Sequence, residues 1–201
     1  MYGECMIENL ILVRHLKKDA PRENAFYGST DLPILPIEVD EVECSESLIY
    51  SSSMIRCKQT ADLYFPSKEK SIIDEAKECD FGSWEGMTFE EIADQYPNDV
   101  DEWKSGKDFT FPNGERIKDF SDRVEKMSQE LIQKQEKNII LVTHAGVIRF
   151  MLCYFLGIEY TKSMAFNVDP GSFSCIKVFE NGMGVAHKLN SVGDQSWLKS
   201  L

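Results

Sequence analysis

Histidine is scarce in this sequence, at three residues in 201. Hydrolysis at a two-metal centre wants several clustered His and Asp ligands, and three scattered histidines fit that poorly. The six cysteines are Cys5, Cys44, Cys57, Cys79, Cys153 and Cys175, and none form a C-x-x-C pair. A zinc knuckle and a thioredoxin-type motif are therefore missing. No cysteine has an arginine six residues later, the spacing a cysteine nucleophile needs to attack phosphate, and no G-x-x-x-x-G-K-[ST] loop occurs. No apolar run approaches the roughly 20 residues of a membrane span. Basic residues are also few, 22 against 34 acidic, for a net charge of -12. That balance argues against nucleic-acid and anionic-membrane partners, which need a basic face. It leaves open a small anionic substrate, which feels only its own pocket.

What is present is ordinary for a globular protein: 42% of residues are hydrophobic. The length suits one domain with a full core, taken as residues 1–201. Several cysteines sit in apolar runs, as in Leu152-Cys153-Tyr154, where a thiol acts as a small hydrophobe. They read as reduced, which fits a cytoplasmic location. The start has no basic segment ahead of its short apolar run, so no targeting signal is read, and Met6 is an alternative start to Met1.

Residues 10–13 (LILV) form a continuous apolar run, the mark of a strand buried on both faces. A turn-rich stretch, 17–36, follows, punctuated by Pro21, Gly28, Pro33 and Pro36. A second strand is expected at 48–50, ending in serines 51–53 as N-cap candidates for a helix over 54–64. Residues 37–47 are an acidic stretch with weak helical periodicity. A third strand is expected at 71–73. In the acidic stretch 74–102, Lys77 is the one basic residue. It holds a capping-box helix start at Thr88, which Pro97 should end. An amphipathic helix at 117–135, a buried strand at 138–143, an apolar helix at 147–156 and two strands at 171–180 and 185–189 complete the chain. Alternating strands and helices predict an α/β fold, a three-layer α/β/α sandwich on a mainly parallel sheet. Residues 75–120 form an acidic, lid-like excursion over the sheet edge.

In such a sheet, ligands bind beyond the carboxyl ends of the strands. The strand at 10–13 delivers Arg14-His15, that at 138–143 delivers His144, and that at 48–50 leads to Ser52 and Arg56. A helix N-terminus adds backbone donors. Two arginines, two histidines and a helix end suit a phosphate dianion. Each alone is weak: a strand-end histidine is more often structural, and first-turn serines often only cap. His187 lies in an alternating strand and reads as a surface residue.

These residues carry a resemblance. LVRH (12–15), YSSSMIRCKQTA (50–61), ECDFGSWEGMTFEEI (78–92) and VTHAGVIR (142–149) resemble, in order, the four motif blocks of the histidine phosphatase superfamily, the phosphoglycerate-mutase-like proteins. Within it, FYGSTDLPI (26–34) and FPNGERIKDFSDRV (111–124) are most similar to α-ribazole-5′-phosphate phosphatases of cobalamin synthesis. Leu16 stands where the family usually has glycine, and Pro21 where it often has an asparagine that contacts phosphate. At 37–47 the family usually has a long helix, and only a shortened one is expected here.

The resemblance implies a metal-independent, cofactor-free hydrolysis of a small phosphomonoester. His15 attacks phosphorus, and water hydrolyses the phosphohistidine. Arg14, Arg56 and His144 hold the equatorial oxygens, with Thr30 and Ser52 as further phosphate contacts. Glu78 is carried over as proton donor and then base, which needs a raised pKa. Glu85 is its rival and more plausibly holds a turn; Asp80 is weaker. A broad-specificity sugar or small-molecule phosphatase, a phosphoglycerate mutase and a non-catalytic binding module are the alternatives. A homodimer stays open. The acidic stretch 74–102 is expected to border the pocket mouth, to disfavour polyanions and to favour an uncharged or aromatic leaving group. Phe81, Trp84 and Phe89 could offer that group apolar surface, although core packing suits most of them better.

Overall fold

A computed structural model describes residues 8–201 apart from 45, 107, 135 and 180. Cys5 and the Met1/Met6 alternative lie outside the described residues. One six-stranded sheet runs in the order β3-β2-β4-β1-β5-β6. Its strands are β1 (Asn9–Arg14), β2 (Ser47–Ser52), β3 (Lys70–Ile73), β4 (Asn138–Thr143), β5 (Phe173–Val178) and β6 (Gly184–Ser191). The β3-β2-β4-β1 half is parallel; β5 and β6 join antiparallel. The hairpin between them turns at Asn181-Gly182, as expected, and His187 on β6 is exposed.

The continuous apolar run of β1 is explained by a core on each side of it. Leu10 and Leu12 face a core built with α4 (Ile117–Ile132) and α5 (Ala145–Phe155). Ile11 and Val13 face a second core with Cys57 and Ala61 of α1 (Ile55–Tyr64). This is the three-layer α/β/α sandwich. In α4, Phe120, Val124, Met127 and Leu131 recur at helical spacing and bury one stripe. Full burial of such a side chain contributes about 1.5–3 kcal/mol.

Three local expectations are corrected. Residues 37–44 form no helix; prolines at 33 and 36 and a run of acids leave that segment irregular. The N-cap of α1 is Met54 rather than a serine, because Asp31 Oδ1 reaches in to accept from the Ile55 amide at 2.8 Å. Pro97 does follow the end of α2 (Phe89–Gln95), but it opens α3 (Pro97–Lys104) as its first residue, where its missing N–H costs nothing. The capping box at Thr88–Glu91 forms as read. Trp84, Phe109 and Phe111, from the stretch between β3 and α4, are buried in the α4/α5 core.

Candidate active site

β1 and β4 are neighbours, paired with Arg14 opposite Thr143, and the His15 amide donates to the Thr143 carbonyl at 2.9 Å. The two strand-end histidines therefore emerge at one level. Their rings meet edge-on with centroids 5.3 Å apart. β2 lies on the other side of β4 and brings Ser52 and then Arg56 to the same end.

His15 is 4% exposed. Its Nδ1 lies 2.7 Å from the Leu16 carbonyl, which can only accept, so Nδ1 carries the proton. That leaves the Nε2 lone pair free. Burial first, and then Arg14 and Arg56, hold the imidazole well below the usual histidine range. The ring is thus neutral, with Nε2 able to act as a nucleophile, throughout the physiological range.

Arg14 is fixed by one bond from Nη1 to the Val168 carbonyl, while its buried Nε has no partner among the described residues. Arg56 is fully buried. It donates from Nε to His144 Nδ1 (3.2 Å), from Nη1 to the Thr30 carbonyl (3.0 Å) and from Nη2 to the Gly28 carbonyl (2.7 Å). Gly28 must be glycine, since a Cβ there would lie 1.8 Å from the Cys79 carbonyl oxygen. Both arginines keep further N–H groups free of these bonds.

Glu78 places its carboxylate on the start of α5, where Oε2 accepts from the Gly146 amide at 3.1 Å. Glu85 does something else. Its two oxygens accept from the amides of Gly28, Ser29 and Thr30, the Thr30 hydroxyl and, at 3.4 Å, the Phe81 amide. It holds the turn that presents carbonyls to Arg56, as the sequence reading favoured. Asp80 likewise accepts from Ser29 Oγ and the Gly82 amide.

A cavity of about 620 Å³ opens over His15. Arg14, Lys17, Lys18, Arg22, Glu78 and Arg149 are among its lining residues. Arg56, His144 and Ser52 are fully buried, and with Thr30 they are not among its lining residues. Both His144 nitrogens are occupied, Nδ1 by Arg56 and Nε2 by Ser52 Oγ at 3.0 Å, and the Thr30 hydroxyl is spent on Glu85. The first amide of α1, expected as a phosphate donor, is taken by Asp31. The acidic rim is corrected. From 74–102 only Glu78 and Phe81 line this cavity; Asp74 and Asp80 border a different one. Lys18 and Arg149 were missed. Arg149 had a signal: it lies four residues after Ala145 on α5, so both share the face that lines the cavity.

A second cavity, about 530 Å³, adjoins the first and shares Phe26, Glu78, Phe81 and Arg149 with it. Trp103, Phe111, Phe120, Phe150 and Tyr160 add aromatic surface. Among the described residues, no three His, Cys, Asp or Glu side chains group as metal ligands, and no helix is long and apolar enough to cross a membrane. The five described cysteines are buried and unpaired. Burial raises all five thiols, Cys153 and Cys175 to about 11, so they stay protonated at neutral pH.

A neutral histidine on a parallel strand end, flanked by arginine and a carboxyl group, suits a phosphoryl-transfer enzyme with a histidine nucleophile. The chain belongs to the histidine phosphatase superfamily (branch 1), whose model matches residues 10–191. It is 29% identical to phosphoserine phosphatase 1 of Hydrogenobacter thermophilus, over 90% of this chain and 91% of that protein. It is 26% identical to the adenosylcobalamin/alpha-ribazole phosphatase of Escherichia coli K12, over 84% and 89%. The crystal structure of the alpha-ribazole phosphatase from Shigella flexneri superposes with a TM-score of 0.78 at 26% identity, covering 94% of this chain and all of that one. The protein is a phosphatase of the phosphohistidine type.

Proposed function

We propose that the substrate is a phosphomonoester whose uncharged leaving group carries a planar aromatic ring, of the kind α-ribazole 5′-phosphate presents. The observation that carries this reading is the position of Glu78, which lines both the cationic cavity and the aromatic one. Phosphate on Arg14 and His15 would direct its leaving oxygen to Glu78, and the group behind that oxygen into the aromatic cavity.

In the first step His15 Nε2 forms a bond to phosphorus as the P–O bond to the leaving group breaks. Glu78, protonated, gives its proton to that oxygen and releases an alcohol. In the second step the Glu78 carboxylate takes a proton from water, whose oxygen bonds to phosphorus. The N–P pair returns to His15, and inorganic phosphate departs. Arg14 contacts the phosphoryl oxygens, and Arg56 supplies fixed positive charge beside it. His144 and Ser52 position the site, as does Thr30 through Glu85.

A second reading, a phosphatase for small acidic monoesters such as phosphoserine, is favoured by the lysines and arginines around the cavity. Two of those cations are already matched, Lys17 by Glu23 and Arg22 by Glu91, which weakens it. Rates on α-ribazole 5′-phosphate, phosphoserine and p-nitrophenyl phosphate, measured in chelator with His15→Ala as control, separate the readings. The first expects kcat/KM at least about tenfold higher on the ribazole ester than on phosphoserine, from apolar contact. The reverse preference establishes the second, and activity surviving in His15→Ala overturns both.

A further inference from the structure

We propose that Lys18 is a phosphate-binding residue of this enzyme, contacting the phosphoryl group beside Arg14. The inference rests on the phosphatase reading and adds to it a residue outside the motif blocks.

Three observations converge on Lys18. It lines the same cavity as Arg14 and His15. Its backbone is held in place: Leu35 donates to the Lys17 carbonyl and Asp19 to the Pro33 carbonyl, each at 2.8 Å, on either side of a bridge from Lys18 to Ile34. Its ammonium lies 5.0 Å from the Tyr27 ring centroid, and it makes no ion pair with a carboxylate among the described residues. The neighbouring cations Lys17 and Arg22 do have such partners.

The charge balance of the wall gives Lys18 its purpose. Cationic donors make the strongest hydrogen bonds to the oxygens of a phosphate dianion. Arg14 supplies one from the cavity wall, whereas Arg56 is turned into the protein and spends three N–H groups there. Pro21, further along the same loop, has no donor to offer. Lys18 is the remaining unmatched cation on that loop. Burial and repulsion from Arg56 and Arg14 outweigh attraction to Glu78 and Glu85, and push its ammonium down to about 8. Lys17, Arg22, Glu23 and Arg149 also face the cavity. An anion between Lys18 and Arg14 would turn that repulsion into attraction.

The experiment uses Lys18→Met and Lys18→Arg and two readouts. Binding of inorganic phosphate, followed by calorimetry at pH 6.5, needs no turnover and so is independent of the phosphatase reading. Lys18→Met should weaken it by about tenfold or more, as loss of a charge-assisted hydrogen bond does, and Lys18→Arg should largely restore it. The second readout is kcat/KM against pH, which reports groups of the free enzyme. The wild type should fall above about pH 8 toward the Lys18→Met level, as Lys18 loses its proton. Lys18→Arg should show no such fall. A lysine that only braces Tyr27 would leave both readouts alone. Phosphate affinity within twofold of wild type in a folded Lys18→Met protein overturns the proposal, as does a Lys18→Arg profile that falls with the wild type. An inactive wild type that still loses phosphate affinity in Lys18→Met would sink the phosphatase reading and leave this one standing.

Discussion

Arg56 Nε donates to His144 Nδ1 at 3.2 Å, and this one bond sets the state of the second histidine. A guanidinium has only donors, so Nδ1 must accept and the proton must sit on Nε2, toward Ser52 Oγ. His144 is therefore neutral. Burial is the larger cause of its depressed pKa, followed by Arg56 and His15. His15 has the opposite tautomer, with Nδ1 protonated against the Leu16 carbonyl. Two neutral imidazoles of opposite tautomer thus lie in edge contact.

Both histidines make stability depend on pH. Their folded pKa values lie below the unfolded value of about 6.5, so the unfolded chain binds more protons in acid. The contribution is complete above pH 6.5 and is lost as pH falls toward the folded values. Each group contributes a slope of at most about 1.4 kcal/mol per pH unit. Urea unfolding should show roughly 2–4 kcal/mol less stability at pH 5 than at pH 7. His15→Gln should shrink that difference; an equal loss in the variant counts against a buried neutral His15.

Arg56 is a hub as well as a charge. Arg56→Met strands three acceptors, the buried Gly28 carbonyl and His144 Nδ1 and the part-buried Thr30 carbonyl. Each orphaned group costs roughly 1–3 kcal/mol, so a loss of about 3 kcal/mol or more is expected in denaturant titration. Arg56→Lys should recover only part, because an ammonium cannot match the fork. A loss under 1 kcal/mol in Arg56→Met would show that the three bonds carry little of the fold.

The two glutamates of one motif block should separate by phenotype. Glu78→Gln removes the proposed proton donor and should slow turnover about 100-fold or more, with phosphate affinity and unfolding midpoint near wild type. Glu85→Gln puts an amide N–H where N–H and O–H groups already point. It should cost roughly 1–3 kcal/mol of stability. Near wild-type turnover in Glu78→Gln would remove it from the chemistry.

Much of this site was legible in the chain because strands project it. Continuous apolar runs at 10–13 and 138–143 marked two central strands, and whatever follows such strands lies at the ligand-binding end of the sheet. His15, His144 and Arg14 were found that way, and the motif resemblance supplied Glu78. What was not legible depends on side chains meeting backbone far away in sequence. Nothing periodic announces that Asp31 will cap α1, or that the carbonyls of residues 28 and 30 will consume Arg56. The acidic stretch misled for a related reason: composition gives a segment's charge but not which cavity each carboxylate faces. The aromatic cavity draws on residues from Phe26 to Met164, a grouping only the fold creates.

Gly146 offers the sharpest separation of stability from chemistry. It is the second residue of α5, and its amide holds Glu78 Oε2. A Cβ at this position would lie 2.3 Å from Glu78 Oε1, closer than two such atoms can approach. Gly146→Ala must therefore push the carboxylate off the helix start. The backbone has no objection, since alanine favours a helix over glycine by up to about 1 kcal/mol. The variant should keep its unfolding midpoint within a few degrees of wild type while turnover falls about tenfold or more, the range expected when a proton donor is misplaced. Combined with Glu78→Gln it should add little further loss, because both changes remove the same proton transfer. Full multiplicative loss in the double variant would mean that Gly146 acts through something other than Glu78.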